Sequence, residues 1–435
     1  MHRGLGLLLL LVLSAPLMAQ LTYTRDVARI LRDKCEHCHR PKDIAPFSLQ
    51  GYDQAARWAE DIKRVVRDRI MPPWKPADGV GDFLDSYGLT QEERDILIRW
   101  VEDGAAQGDP ADLPEALPER GEWSLGEPDL ILSMPEEYTP PRGRDMYRCF
   151  VLPTDFDARR FVSAADVLPG DRAIVHHVIL FLDTSGKAEQ LDAAEEGPGY
   201  TCFGGPGTPA ASGSAISSIL ANGMALGGWA PGARPRHLPE KIGMELPAKA
   251  RVVMQVHYYS RNAAAADRTR VGLYFSKGDV ERRLIFVPLV PLDARGRVAM
   301  TIPANAEAHE VRALLPVIPP MQHKIITIFP HMHLLGTKIE VEANIRGEDR
   351  PLIRIDNWDF NWQGQYNYRT PVEVPGFSLY KLKCTYNNSE SNPRNPNNPI
   401  KQVTWGEGTE DEMCLAFVGV TFDNENLLFG LGGLF

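Results

Sequence analysis

The sequence predicts a multidomain chain in which a small all-α domain is followed by two all-β sandwich domains. Three observations lead there. At 435 residues the chain is too long for one hydrophobic core. Helical periodicity is confined to the stretch from Thr24 to Trp100. Beyond Trp123 nearly every apolar run is short, β-branched or aromatic, and bounded by Gly, Pro or Asn.

At the N-terminus, Leu5–Leu13 is the one long apolar stretch, preceded by His2 and Arg3 and followed by Ser14, Ala15 and Ala19. It is too short to span a bilayer, and its position fits a secretory signal, residues 1–19, with the mature chain starting near Gln20. The alternative is an uncleaved anchor. The signal reading places the protein in the periplasm or outside the cell, with no stable membrane span.

Residues 20–108 form the predicted helical domain. In Asp53–Asp68, the residues Ala55, Trp58, Ile62, Val65 and Val66 recur at helical spacing. A second helix opens on the capping pair Thr90 and Glu93, carries Ile96, Leu97, Trp100 and Val101, and stops at Gly104. The Pro-rich, acidic stretch 109–122 (DPADLPEALPERGE) lacks periodicity and reads as a linker. Strands are predicted at Ala173–Leu182, Arg251–Ser260, Val271–Phe275, Lys324–Phe329, Lys338–Ile345 and Leu415–Phe422. The first sandwich is assigned to 123–280 and the second to 281–435.

A formal net charge of −10 and the absence of any Lys/Arg run exclude nucleic acid as a partner. Of six cysteines, two sit in one tight motif. The other four, Cys149, Cys202, Cys384 and Cys414, suggest two disulfides in an oxidising compartment. Three pairings are possible; Cys149 with Cys202 and Cys384 with Cys414 is favoured.

The tight motif is Cys35-Glu36-His37-Cys38-His39. Two thiols at this spacing can form thioethers to haem vinyl groups while His39 ligates the iron, so one covalent haem c is expected. A zinc site would want further Cys or His nearby, and residues 40–110 contain none. By elimination the sixth ligand is Met71, in Met71-Pro72-Pro73-Trp74, where the prolines hold the chain extended. The bland reading is that Met71 packs in the core. Motif and arrangement look like a small class I-type cytochrome c.

Downstream, five histidines fall inside apolar strand-like runs: His176 and His177, His257, and His331 and His333. One such residue is usually a satisfied core histidine; five in three runs point to metal. His331 and His333 alternate along a strand and share a face. His176 and His177 are adjacent, so they can share a metal only if the backbone twists or bulges there. Met413, in Asp411-Glu412-Met413-Cys414, is chosen as the third ligand beside His331 and His333, because a thioether favours Cu(I). On the residues alone, Met413 as core filler is the stronger reading. His2, His37, His237, His309 and His323 are assigned no role and are expected at the surface or in loops. Trp229, Phe329, Trp358, Trp362 and Tyr366 are candidates for lining an apolar pocket.

Residues 123–435 resemble the copper type II, ascorbate-dependent monooxygenases, the family of peptidylglycine α-hydroxylating and dopamine β-monooxygenases. The resemblance rests on Val175-His176-His177-Val178, Gly228-Trp229-Ala230-Pro231-Gly232, Gln255-Val256-His257-Tyr258, His331-Met332-His333-Leu334-Leu335-Gly336 and Asp411-Glu412-Met413-Cys414, in that order. It implies jelly-roll-like sandwiches and two copper ions: an electron-transfer copper on His176, His177 and His257, and an oxygen-binding copper on His331, His333 and Met413. Two positions depart from the peptide-amidating pattern. Phe329 stands where that enzyme has an arginine for the substrate carboxylate, and Leu415 where it has an asparagine. A less charged substrate is therefore expected.

The function expected is O2-dependent hydroxylation of a C–H bond in a small organic substrate. Electrons would come from an external donor, ascorbate or a redox protein, through the fused haem. The alternative is a non-catalytic periplasmic electron-transfer or copper-binding protein.

Overall fold

The structure, a computed structural model, describes residues 20–41, 43, 45–84, 86–115, 121–143, 145–202, 205–208, 226–259, 265–318 and 321–427. The predicted signal segment 1–19 lies outside the described residues. Among them, no helix is long and apolar enough to cross a membrane. The chain divides into two compact units, Met1–Trp74 with Tyr87–Pro118, and Lys75–Ser86 with Glu119–Phe435.

The smaller unit contains helices Ala28–Lys34, Tyr52–Arg57, Ala59–Arg67 and Gln91–Glu102, packed on Tyr23, Val27, Leu31, Ile62, Leu97 and Trp100. The amphipathic stretch predicted as one helix is two, broken at Trp58. The hydrogen-bond ladder continues through the break, from Trp58 N–H to Gln54 O at 3.2 Å and from Ile62 N–H to Trp58 O at 2.8 Å. The Trp58 ring stacks on Phe47 with centroids 4.1 Å apart. At the last helix, Thr90 Oγ1 accepts from Glu93 N–H at 3.1 Å and the Glu93 carboxylate accepts from Thr90 N–H at 2.7 Å. Its other end closes on Gly104 at φ +92°, with Ala105 N–H donating to Trp100 O and Gly104 N–H to Val101 O. Only glycine adopts that backbone without strain.

Residues 75–86, expected within the helical domain, group instead with the larger unit. There Phe83 is buried against Tyr366 and Tyr368, with centroids 5.4 and 5.0 Å away. Ala77 N–H donates to Arg354 O at 2.7 Å, Leu84 N–H to Asn367 O at 2.8 Å, and Arg369 N–H to Asp82 O at 2.8 Å. A phenyl ring that needs burial and a backbone that needs partners both find them on the strands Tyr366–Val374 and Glu348–Ile355.

The larger unit is built from paired sheets. One five-stranded sheet orders Leu130–Ser133, Arg270–Phe275, Arg160–Leu168, Ile242–Leu246 and Arg282–Arg283. The other orders Tyr200–Thr201, Asp145–Pro153, Arg251–Tyr259, Val175–Asp183 and Gly228–Trp229. Alternate residues from both, among them Leu132, Leu152, Val162, Leu180, Met254 and Leu273, fill the space between. Beyond Leu284, one four-stranded sheet orders Ile285–Leu289, Leu415–Phe422, His323–His331 and Tyr366–Val374. The second orders Ala306–Pro316, Leu379–Asn388, Gly336–Ile345 and Glu348–Ile355. All six predicted strands are present in these sheets. Disulfides join Cys149 to Cys202 and Cys384 to Cys414; the second fastens the Leu379–Asn388 strand to the residue preceding Leu415–Phe422.

Candidate metal centre

His257 lies on a central strand, in register with Tyr147 on one side and His177 on the other. The Tyr147 ring stacks flat on it, centroids 4.2 Å apart and planes 7° apart. Strict alternation would send His176 to the far face of its sheet. The register between Val175–Asp183 and Arg251–Tyr259 slips between Val175 and His177, placing an irregularity at His176. Such a bulge re-aims a side chain, and His176, His177 and His257 all offer ring nitrogens within 4.8 Å of one another.

These residues fit a metal. The Nδ1 atoms of His176 and His177 are 3.2 Å apart, close to the roughly 3.3 Å that two imidazoles about 2.0 Å from one tetrahedral ion would show. His257 Nδ1 is buried without a hydrogen-bond partner, while its Nε2 lies 3.4 Å from an Asp145 carboxylate oxygen. A carboxylate on one ring nitrogen leaves the other as a lone-pair donor.

The second candidate set lies beside the first. His331 ends the strand His323–His331 and His333 follows two residues on. His331 Nδ1 is hydrogen-bonded to Gln363 Oε1, and His333 Nδ1 is 3.1 Å from Asp411 O. Both bonds engage Nδ1–H and free Nε2. Met413 is 8% exposed and lines one cavity with His177, His331 and His333. The two sets are neighbours: the His177 and His331 centroids are 6.3 Å apart, and Phe360 stacks on His176 at 4.5 Å while its centroid is 5.9 Å from His333.

Residues 298–422 match the family model of the copper type II ascorbate-dependent monooxygenase C-terminal domain. That family is copper- and ascorbate-dependent, and the matched stretch carries His331, His333, Gln363 and Met413. A comparison with curated proteins found no match. Among solved structures, the chain is similar to the cowpea mosaic virus top component at 8% identity, covering 64% of this chain and 89% of that one, TM-score 0.27. It is also similar to the infectious bursal disease virus VP2 subviral particle (10%, 75% and 78%, 0.19) and to Paenibacillus xanthan lyase (10%, 70% and 28%, 0.18). At such scores these likenesses carry no argument about fold or activity.

In the smaller unit, Cys35 and Cys38 form no disulfide among the described residues, and His39 N–H donates to Cys35 O at 2.9 Å, so the motif forms one turn. His39 Nδ1 is 3.3 Å from Phe47 O, which leaves Nε2 available for a metal. A cavity of about 500 Å³ opens beside Phe47 and Trp58. Met71 is not among its lining residues; its N–H donates to Val65 O at 3.2 Å, and no contact with His39 is recorded among the described residues.

Several partners of the ligands had no signal in the sequence. Gln363, Asp145, Phe360 and Tyr147 belong to no motif; Glu412 lay inside one but was assigned no role. The Glu412 carboxylate is fully buried and accepts from the backbone N–H of His333 at 2.9 Å, Leu335 at 2.6 Å and Met413 at 3.2 Å. It thus joins both ligand-bearing segments of the second set. His323, expected at the surface or in a loop, is 6% exposed on a strand, because Met321 O and the Tyr380 hydroxyl satisfy both its ring nitrogens. Of the nominated aromatics, Trp229 and Phe329 line the cavity. Trp358 is core, Tyr366 packs on Phe83, and Trp362 stands against Gly232.

Burial, with lesser repulsion from neighbouring rings, lowers His331 to about 3, and burial chiefly lowers His176 and His333 to about 4. His177 and His257 are also held well below the ordinary imidazole range, by burial first and neighbouring histidines second. The native state therefore binds fewer protons here than the unfolded chain. The metal-free protein should lose stability as pH falls from 6.5 towards 4, measured by denaturant midpoints. Burial pushes Glu412 up to about 8, so its contribution has the opposite sign, declining as pH rises from 4.5 to 8. Because the imidazoles are already neutral, copper affinity should stay nearly level between about pH 5 and 8. A steep proton dependence in a competition titration would contradict that.

Proposed function

We propose that the chain is a copper-dependent monooxygenase that hydroxylates a C–H bond of a small organic substrate, with electrons supplied through a covalently attached haem c. The observation that carries the reading is the convergence of His177, His331, His333 and Met413 on one cavity whose remaining walls are mostly apolar. The balanced reaction is R–H + O2 + 2 electrons + 2 protons → R–OH + H2O. Bound by these residues, copper would supply one-electron chemistry, one electron from each of two ions.

The protein's own groups set the conditions. Gln363 and the Asp411 carbonyl hold the His331 and His333 rings through Nδ1, which leaves Nε2 of each to bind the metal. Met413 adds a soft thioether that favours the reduced metal. Trp229, Phe329 and Phe417 give the substrate side an apolar wall. The 6.3 Å between the His177 and His331 rings offers electrons a short path between the two sets.

Cys35, Cys38, His39 and Met71 would hold the haem, which would supply one-electron transfer. Electrons from external ascorbate or a redox protein, passed on by the haem, would re-reduce the copper. Two disulfides support a periplasmic or secreted location.

The deciding experiment is oxygen uptake by the copper-loaded, haem-containing protein, with and without substrate, using 18O2. One labelled oxygen atom in the alcohol is the expected result. Copper bound without substrate-dependent uptake across a substrate screen would leave the non-catalytic electron-transfer or copper-binding reading. Pre-reduced haem that fails to reoxidise in the copper-loaded protein under oxygen would remove the haem from the scheme. Gln363→Leu should weaken copper at His331, His333 and Met413 by about 10–100-fold, while leaving the His176, His177 and His257 set unchanged.

A further inference from the structure

Resting on the monooxygenase reading, we propose that the substrate is an uncharged, apolar molecule about the size of one benzene ring. The cavity beside His331 has a volume of about 150 Å³, the size at which an apolar protein cavity holds benzene. Its shape follows from strand register. Phe329 pairs with Phe417 and His331 with Leu415 across two neighbouring strands, so these four alternate positions make one patch on one sheet face. Three of its members are apolar, and the fourth is a candidate metal ligand. Phe181 and Trp229, from the first sandwich, add two aromatic rings to the lining.

The polar groups around this cavity are few and largely engaged. Among the described residues, no Lys or Arg lines the cavity, and the one lining carboxylate is Glu407, which is half-buried. The Gln255 amide donates to Cys202 O at 2.8 Å, and the Gln363 amide is held between His331 and Phe360 O. A carboxylate or phosphate ligand would give up its hydration with no cation to receive it. An aromatic hydrocarbon loses nothing on entry and gains contact with rings already in place. A C–H bond on such a molecule, packed between Phe329, Leu415 and Phe417, would lie beside His331.

Three probes of similar size test this on the copper-loaded full chain held free of oxygen, so that binding is read without turnover: toluene, benzoate and benzylamine. Calorimetry should show toluene binding at least tenfold more tightly than either ion, which is about 1.4 kcal/mol. Leu415→Trp should fill the cavity and abolish toluene binding, while copper content stays as in wild type. Benzoate or benzylamine binding as tightly as toluene would overturn the proposal, as would no toluene binding to wild type. If Leu415→Trp does not fold, the three-probe comparison on wild type decides alone. Repeating the titration after chelation separates this inference from the one on which it rests. Toluene binding without any oxygen uptake sinks the monooxygenase and keeps the cavity; oxygen uptake with a charged substrate alone does the reverse.

Discussion

Met413→Ala is expected to lower bound copper from about two ions to about one per chain and to eliminate substrate-dependent oxygen uptake. The two imidazoles that remain, His331 and His333, keep their Nδ1 anchors on Gln363 and Asp411. They lose the thioether on which retention of Cu(I) depends. Met413→His separates ligand number from ligand softness: a third imidazole should restore copper content while shifting preference towards Cu(II), read as a lower reduction potential and continued loss of turnover. His177→Ala should remove the other copper and leave the His331 set loaded. Metal analysis and an oxygen electrode check both variants. Unchanged copper and unchanged uptake in Met413→Ala would mean that Met413 is core filler.

Removing the Cys384–Cys414 disulfide, as Cys384→Ala with Cys414→Ala, is expected to cost about 3–4 kcal/mol of stability. The bond closes a loop with a sequence separation of 30, for which the loss of unfolded-chain entropy gives roughly 3.6 kcal/mol. Guanidinium unfolding measures it. Because Cys414 follows Met413 directly, and Tyr386, two residues beyond Cys384, donates its hydroxyl to Met413 O at 2.7 Å, the same variant should also weaken copper at the second set. The Cys149–Cys202 bond spans 53 residues, and its removal should cost about 4 kcal/mol without touching that set. Equal effects of the two deletions on copper content would show that the Cys384–Cys414 bond stabilises the fold without positioning Met413.

The features legible in the sequence were local ones. The Thr90–Glu93 capping pair lies within one turn, and His331 and His333 lie two residues apart, although the strand expected to carry both ends at His331. His176 beside His177 was a conflict that the sequence posed and could not resolve. The answer is an irregular register against Arg251–Tyr259, some 80 residues further along the chain. Residues 75–86 were misassigned for a related reason: nothing nearby in the chain announces that Phe83 will bury itself against Tyr366 and Tyr368.

From the sequence alone came the candidates: the Cys35–His39 motif, five histidines in apolar runs, Met413 and four dispersed cysteines. Those are matters of residue type, short spacing and period, which act over a few residues. The tertiary structure decided what surrounds them. It set Gln363 on His331, Glu412 on the backbone of His333, Asp145 beside His257, the 6.3 Å between His177 and His331, and the apolar walls of one small cavity. The four named pairs join residues 32 to 154 positions apart, and such contacts depend on sheet register and on the packing of sheet against sheet, which no local pattern encodes.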